Sequence, residues 1–142
     1  MSNKNQPTLN PYLTFGGNCR EAMEFYQSVL NGDLEINPFE GAPMEIPDGY
    51  ENKVMHASLK FGDAVLMASD SMPGQPVEHG NDAHLSINLQ DVREGERIFK
   101  GLSAGGQVTM EFQDTFWGAR FGSFIDRYGV SWMVNCDRQQ TE

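Results

Sequence analysis

AHLSINLQDVREGERIFKGLSAGGQVTMEF, residues Ala83–Phe112, reads as strand, capped helix, glycine stop and strand, and it has a counterpart earlier in the chain. That counterpart is PYLTFGGNCREAMEFYQSVLNGDLEINPF, from Pro11 to Phe39. Tyr12-Leu13-Thr14-Phe15 lies over His84-Leu85-Ser86-Ile87 and Arg20-Glu21 over Arg93-Glu94, with one residue slipped in the turn between them. Strand alternation puts Leu13 and Phe15 on one face and Tyr12 and Thr14 on the other; Leu85, Ile87 and Leu89 part from His84, Ser86 and Asn88 in the same way. Asn18 with Glu21, and Asp91 with Glu94, have the spacing of a reciprocal capping box. Ala22, Phe25, Tyr26, Val29 and Leu30 in the first helix, and Ile98, Phe99 and Leu102 in the second, form the stripes a sheet would bury. Asn31-Gly32 and Gly105-Gly106 stop the two helices.

Each copy is followed by two more strands. Val54–Phe61 and Ala64–Ala68 flank a hairpin at Gly62-Asp63, and Ala119–Asp126 and Val130–Cys136 flank one at Tyr128-Gly129. Gly41–Glu51 reads as a loop and residues 1–10 as a loose leader. The chain is thus predicted to be a single α+β domain of two tandem β-α-β-β-β modules. Module one spans about residues 11–68, a Pro/Gly-rich linker about 69–82, and module two about 83–136. The apolar face of each sheet should pack under a helix, leaving the mixed face partly wet. On Gln107–Phe112 the apolar side is expected to carry Val108, Met110 and Phe112.

At 142 residues the chain is long enough to bury about 68–70% of its unfolded surface without metal or disulfide support. A formal net charge of −10 repels phosphate backbones and anionic membranes, so neither nucleic acid nor a membrane is expected as partner. Nothing near the start resembles a signal peptide, and no apolar run reaches bilayer length. Two distant cysteines, Cys19 and Cys136, point to free thiols in the cytoplasm.

PYLTFGGNCREAMEFY, VMHASLKFGDAVLMASD and DTFWGARFGSFIDRYGVSWMV resemble the PhnB-like branch of the vicinal oxygen chelate superfamily, the glyoxalase/bleomycin resistance/dioxygenase fold. The likeness runs from Pro11 to Cys136, and Asp114-Thr115-Phe116-Trp117-Gly118 is its most specific motif. It implies sheets curled into a cleft, commonly in a homodimer. In metal-using relatives a divalent ion is held by His or Gln from the first strand and Glu from the fourth strand of each module. Those positions fall here on Pro11 or Tyr12, Met67, His84 and Met133, so only His84 suits a divalent ion. Family usage also places Pro after Asp126 and His after Gly129, where this chain has Arg127 and Val130.

The expected function is therefore binding of a small, partly apolar molecule in the cleft, with no cofactor and no conventional metal centre. Tyr12, Met67, His84 and Met133 would line it, with Phe116 and Trp117 as an aromatic wall and Arg120 on an anionic group. His84 is the candidate acid or base, weighed against a histidine bonded to Ser86 or a backbone carbonyl. One alternative is a divalent-metal lyase, isomerase or dioxygenase whose ion is held by His84 with His56 or Glu111. Another is a dimeric structural or regulatory scaffold whose cleft is filled by its own side chains. His56 alone reads as a satisfied sheet histidine, His79 as solvated, and Cys19 and Cys136 as structural thiols.

Overall fold

The structure is a computed structural model and describes residues 6–137. The chain divides into two compact units between Val77 and Glu78, inside the Pro/Gly-rich segment. The first holds β1 (Tyr12–Phe15), α1 (Cys19–Leu30), β2 (Asp33–Pro38), β3 (Val54–Phe61) and β4 (Ala64–Asp70). The second holds β5 (Leu85–Leu89), α2 (Val92–Ser103), β6 (Gln107–Asp114), β7 (Ala119–Ile125) and β8 (Ser131–Asp137). The sheets have matching orders, β1-β4-β3-β2 and β5-β8-β7-β6. In each, the first strand runs parallel to the fourth and the other pairings are antiparallel. This is the α+β class with the doubled module. No helix among the described residues is long and apolar enough to cross a membrane.

Alternation decides what each helix covers. Phe15, Ala57, Leu59, Leu66 and Ala68 are buried together with Cys19, Ala22, Met23, Tyr26, Val29 and Leu30 of α1. In the second unit Phe99 of α2 stands edge-on to Phe124 and stacks on Phe112, with ring centroids 5.2 and 5.5 Å apart. Gly122 leaves the space this needs, since a Cβ there would lie 2.6 Å from the Phe99 ring. Trp132, Val134 and Cys136 complete that core.

The helix ends depart from the sequence reading in three places. Asn18 makes no side-chain cap; the buried Asp70 at the end of β4 accepts instead from the N–H groups of Gly17 and Cys19, both at 2.9 Å. Asp91 does cap α2, accepting from the Arg93 and Glu94 N–H groups, but the Glu94 carboxylate turns to Arg97 at 2.6 Å and so does not reach back. At the end of α1 it is Asn31, with φ 57°, that adopts the left-handed conformation. Gly32 serves a different need: a Cβ there would sit 2.4 Å from the Lys60 carbonyl oxygen. Gly106 stands in the same relation to Ile125, at 2.1 Å.

β6 corrects a further expectation. Its ladder with β7 slips between Val108 and Met110 and again between Met110 and Gln113. A bulge changes which side of the sheet the following residues face. Met110 therefore stands opposite Ser123, away from α2, while Phe112 stacks on Phe99.

Candidate functional site

On the face of the first sheet away from α1, register brings four side chains into one neighbourhood. Tyr12 is the partner of Met67 across β1 and β4, Met67 is the partner of Ser58 across β4 and β3, and His56 stands one pleat beyond Ser58. The Tyr12 hydroxyl and His56 Nδ1 are 3.3 Å apart, and the ring centroids 5.8 Å. Tyr12 is half exposed and His56 and Met67 are partly buried.

The second sheet carries the related arrangement. Met133 pairs with Ser123 across β8 and β7, as Met67 does with Ser58. Ser123 is buried and shares a 2.7 Å hydrogen bond with Thr109. On β5 the partner of Met133 is Ser86, not His84. His84 lies one residue before β5 and is exposed, so the structural equivalent of Tyr12 is Ser86 and the repeat alignment at this strand is two residues off. Ser86 Oγ, which the alternative reading of His84 paired with that histidine, instead donates to Asn88 Oδ1 at 3.4 Å.

Phe121, which sequence reasoning did not single out, lies on the Met133 side of β7; its signal was alternation from Ser123. Trp117 stands 6.1 Å from the Phe121 ring, and Phe116 stands 5.0 Å from Trp117. The turn that presents these aromatics is fixed by Thr115, whose Oγ1 donates to the Ala119 carbonyl at 2.8 Å, and by Gly118 at φ 89°. Phe116 is 97% exposed and Trp117 55%, so Phe116 projects into solvent while Trp117 rests against Phe121 of β7.

Arg120 points to the other side. It is the partner of Cys136 on the face beneath α2, bonds Asp114 at 3.3 Å, and lies over the Phe112 ring at 5.3 Å. Glu111 is exposed on the bulged stretch of β6, in a different unit from His56. His79 packs against the Gly129 turn. Among the described residues, no three His, Cys, Asp or Glu side chains gather as a metal ion would require.

Both thiols are buried, Cys19 in the first turn of α1 and Cys136 on β8 beneath α2. Burial pushes Cys19 up from 9.0 to about 12, Asp70 adding to the rise and Arg20 opposing it. Burial, then Asp91, also raises Cys136. Because the folded value for Cys19 exceeds the unfolded one, its contribution to stability is complete below about pH 9 and is lost as pH climbs from there toward 12. Near pH 8 an aromatic disulfide reagent should label neither thiol in the native protein and both after denaturation. Rapid native labelling of Cys19 would contradict its assignment as a packed, inert group.

Residues 7–135 match the family model described as 3-demethylubiquinone-9 3-methyltransferase. Protein YjdN of Escherichia coli K12 is 35% identical, over 93% of this chain and 97% of its own. Among solved structures, protein PA1353 from Pseudomonas aeruginosa superposes with a TM-score of 0.85 at 44% identity, covering 94% of this chain and all of that one. The PhnB protein from Bacillus cereus gives 0.77 at 24% identity, covering 92% and 99%. The fosfomycin resistance protein FosX from Listeria monocytogenes, solved with Mn(II) and a dihydroxypropylphosphonic acid, gives 0.64 at 11% identity and 92% of both chains, a likeness of fold alone. The doubled module, the family match and these neighbours together place the chain in the PhnB-like family of the vicinal oxygen chelate superfamily, with the glyoxalase/bleomycin resistance/dioxygenase fold.

Proposed function

We propose that this protein binds a small, partly apolar molecule on the helix-free faces of its sheets, without a conventional metal centre. The observation that carries this reading is the pair Met67 and Met133, each on the last strand of its unit and each opposite a serine, Ser58 or Ser123. A thioether is a poor ligand for a hard or borderline divalent ion but a good surface for a flat ring. Exposed Trp117 beside Phe121 extends the same chemistry on the second sheet. The family description names a demethylated quinone, a flat ring with polar oxygens, and that class of molecule suits these surfaces.

Two measurements test it. Elemental analysis of protein purified without chelator or metal-affinity tag should find far less than one divalent ion per chain; a stoichiometric ion lost on His84→Ala would overturn the metal-free reading. A thermal-shift screen of quinones and aromatic antibiotics should yield a stabilising compound whose effect Met133→Glu weakens, because a ligand that binds only the folded form raises its melting temperature. A broad library with no stabilising compound would overturn the ligand reading.

A further inference from the structure

We propose that Tyr12 and His56 act together as a hydrogen-bonding pair that holds the carbonyl or phenolic oxygen of a neutral ring ligand. This inference rests on the ligand reading above and adds to it which atoms take the polar end of the molecule and what that end must be.

The two residues meet only because of register. Tyr12 stands at the start of β1 and His56 on β3, with β4 between them, so the Tyr12 ring must cross β4 diagonally for its hydroxyl to come within 3.3 Å of Nδ1. Their planes are tilted by 37°, so the contact runs through the hydroxyl and a ring nitrogen and is no stack of faces. A buried tyrosine needs an internal partner because water cannot reach it, but Tyr12 is 49% exposed. Burial therefore does not explain the pair.

Its proton inventory suits an oxygen. A neutral imidazole carries one N–H and a phenol one O–H, and a single hydrogen bond between the two consumes one of them. If the phenol donates to Nδ1, the Nε2–H remains free to donate. If Nδ1–H donates to the phenol oxygen, the O–H remains and Nε2 becomes an acceptor. Either tautomer leaves one donor for an incoming oxygen, and a lone pair accompanies it. The pair thus accommodates a carbonyl or a phenol by moving one proton within itself.

The surroundings narrow the class further. Met67, the direct partner of Tyr12, supplies a polarizable thioether on which a ring can lie. Asn37 is the partner of His56 on β2, with Glu35 and Lys60 further along the same face. A chain of formal net charge −10 disfavours carboxylate or phosphate ligands, and the thioether beside a neutral donor–acceptor pair suits oxygen-bearing rings, the phenols and quinones.

The test compares 2-naphthol with 2-methylnaphthalene, a phenol and its isostere without the oxygen, by calorimetric titration of the full chain. The wild type should prefer 2-naphthol about fivefold to tenfold, the worth of one good hydrogen bond. Tyr12→Phe, which keeps the ring, and His56→Leu should each remove most of that preference, read as the ratio of the two affinities within one variant. If both variants retain the preference, the pair does not hold the oxygen, although the ligand reading stands. If neither compound binds the wild type more tightly than about 1 mM, the ligand reading falls and this inference falls with it.

Discussion

Asp70→Ala should destabilise the first unit by about 3–5 kcal/mol, because it strips the acceptor from three backbone donors at once. One carboxylate oxygen takes the N–H groups of Gly17 and Cys19, and the other takes that of Val54, all at 2.9 Å. The side chain is 5% exposed, so water cannot simply replace it. Asp70 also puts a negative charge at the amino end of α1, where the helix dipole favours it. Three elements are therefore fixed by a single side chain: the turn after β1, the start of α1 and the start of β3. Urea unfolding followed by far-UV circular dichroism measures the loss. Asp70→Asn should recover part of it, since the amide oxygen still accepts while the amide nitrogen faces a donor. A loss below about 1 kcal/mol for Asp70→Ala would mean that the three N–H groups find other partners.

Gly106→Ala is the second change expected to cost about 3 kcal/mol. The new methyl would lie 2.1 Å from the Ile125 carbonyl oxygen and 2.9 Å from the Asp126 Cα, both backbone atoms that no rotamer change can move. Relief would require β6 to back away from the end of β7, next to buried Asp126. The Asp126 carboxylate accepts from the N–H groups of Tyr128 and Val130 and from Trp132 Nε1, at 2.8, 3.0 and 2.8 Å, so displacing this corner disturbs the hairpin and the core together. Gly32→Ala should behave alike in the first unit, with 2.4 Å to the Lys60 carbonyl oxygen. Gly16→Ala is the control: nothing lies within 4 Å of the place its methyl would take, and the change should stay within about 0.5 kcal/mol. A Gly106→Ala protein as stable as the control would show that the close approach is not rigid.

The elements were legible because they depend on nearest-neighbour pattern. Alternation in Tyr12-Leu13-Thr14-Phe15 and the stripe from Ala22 to Leu30 each name their own secondary structure, and strand limits agree within about two residues. What failed was decided by residues far away in the chain. Asn18 makes no cap on α1, where Asp70 reaches in from β4 to the N–H groups of Gly17 and Cys19 on either side of it. Asp91 keeps its role because the corresponding place on β8 holds Cys136, whose thiol instead approaches the Asp91 carbonyl at 3.7 Å. Unbroken alternation along β6 puts Met110 on the side of Phe112, whereas two irregularities in its ladder redirect Met110.

The candidate site divides along the same line. That Met67 and Met133 avoid the helix side follows from counting along a strand. Which first-strand residue meets each of them does not, because a parallel partner's offset is set by packing and turn length. Tyr12 meets Met67, but Ser86 takes the place that alignment gave to His84. The Tyr12 contact with His56 spans two strand pairings and has no local trace. Arg120 went the other way: its strand parity places it beneath α2 beside Cys136, on the side opposite Ser123.

The chain's two tryptophans, Trp117 and Trp132, both belong to the second unit. Trp132 is 1% exposed and Trp117 55%, so their emission separates into a blue component from the interior and a red one from the solvent-washed turn. Tyr12, Tyr26 and Tyr50 are the emitters of the first unit. Indole fluorescence is thus a reporter of one half of the molecule, and partial melting confined to the other half would be spectrally dark unless phenol emission or backbone dichroism were followed alongside it.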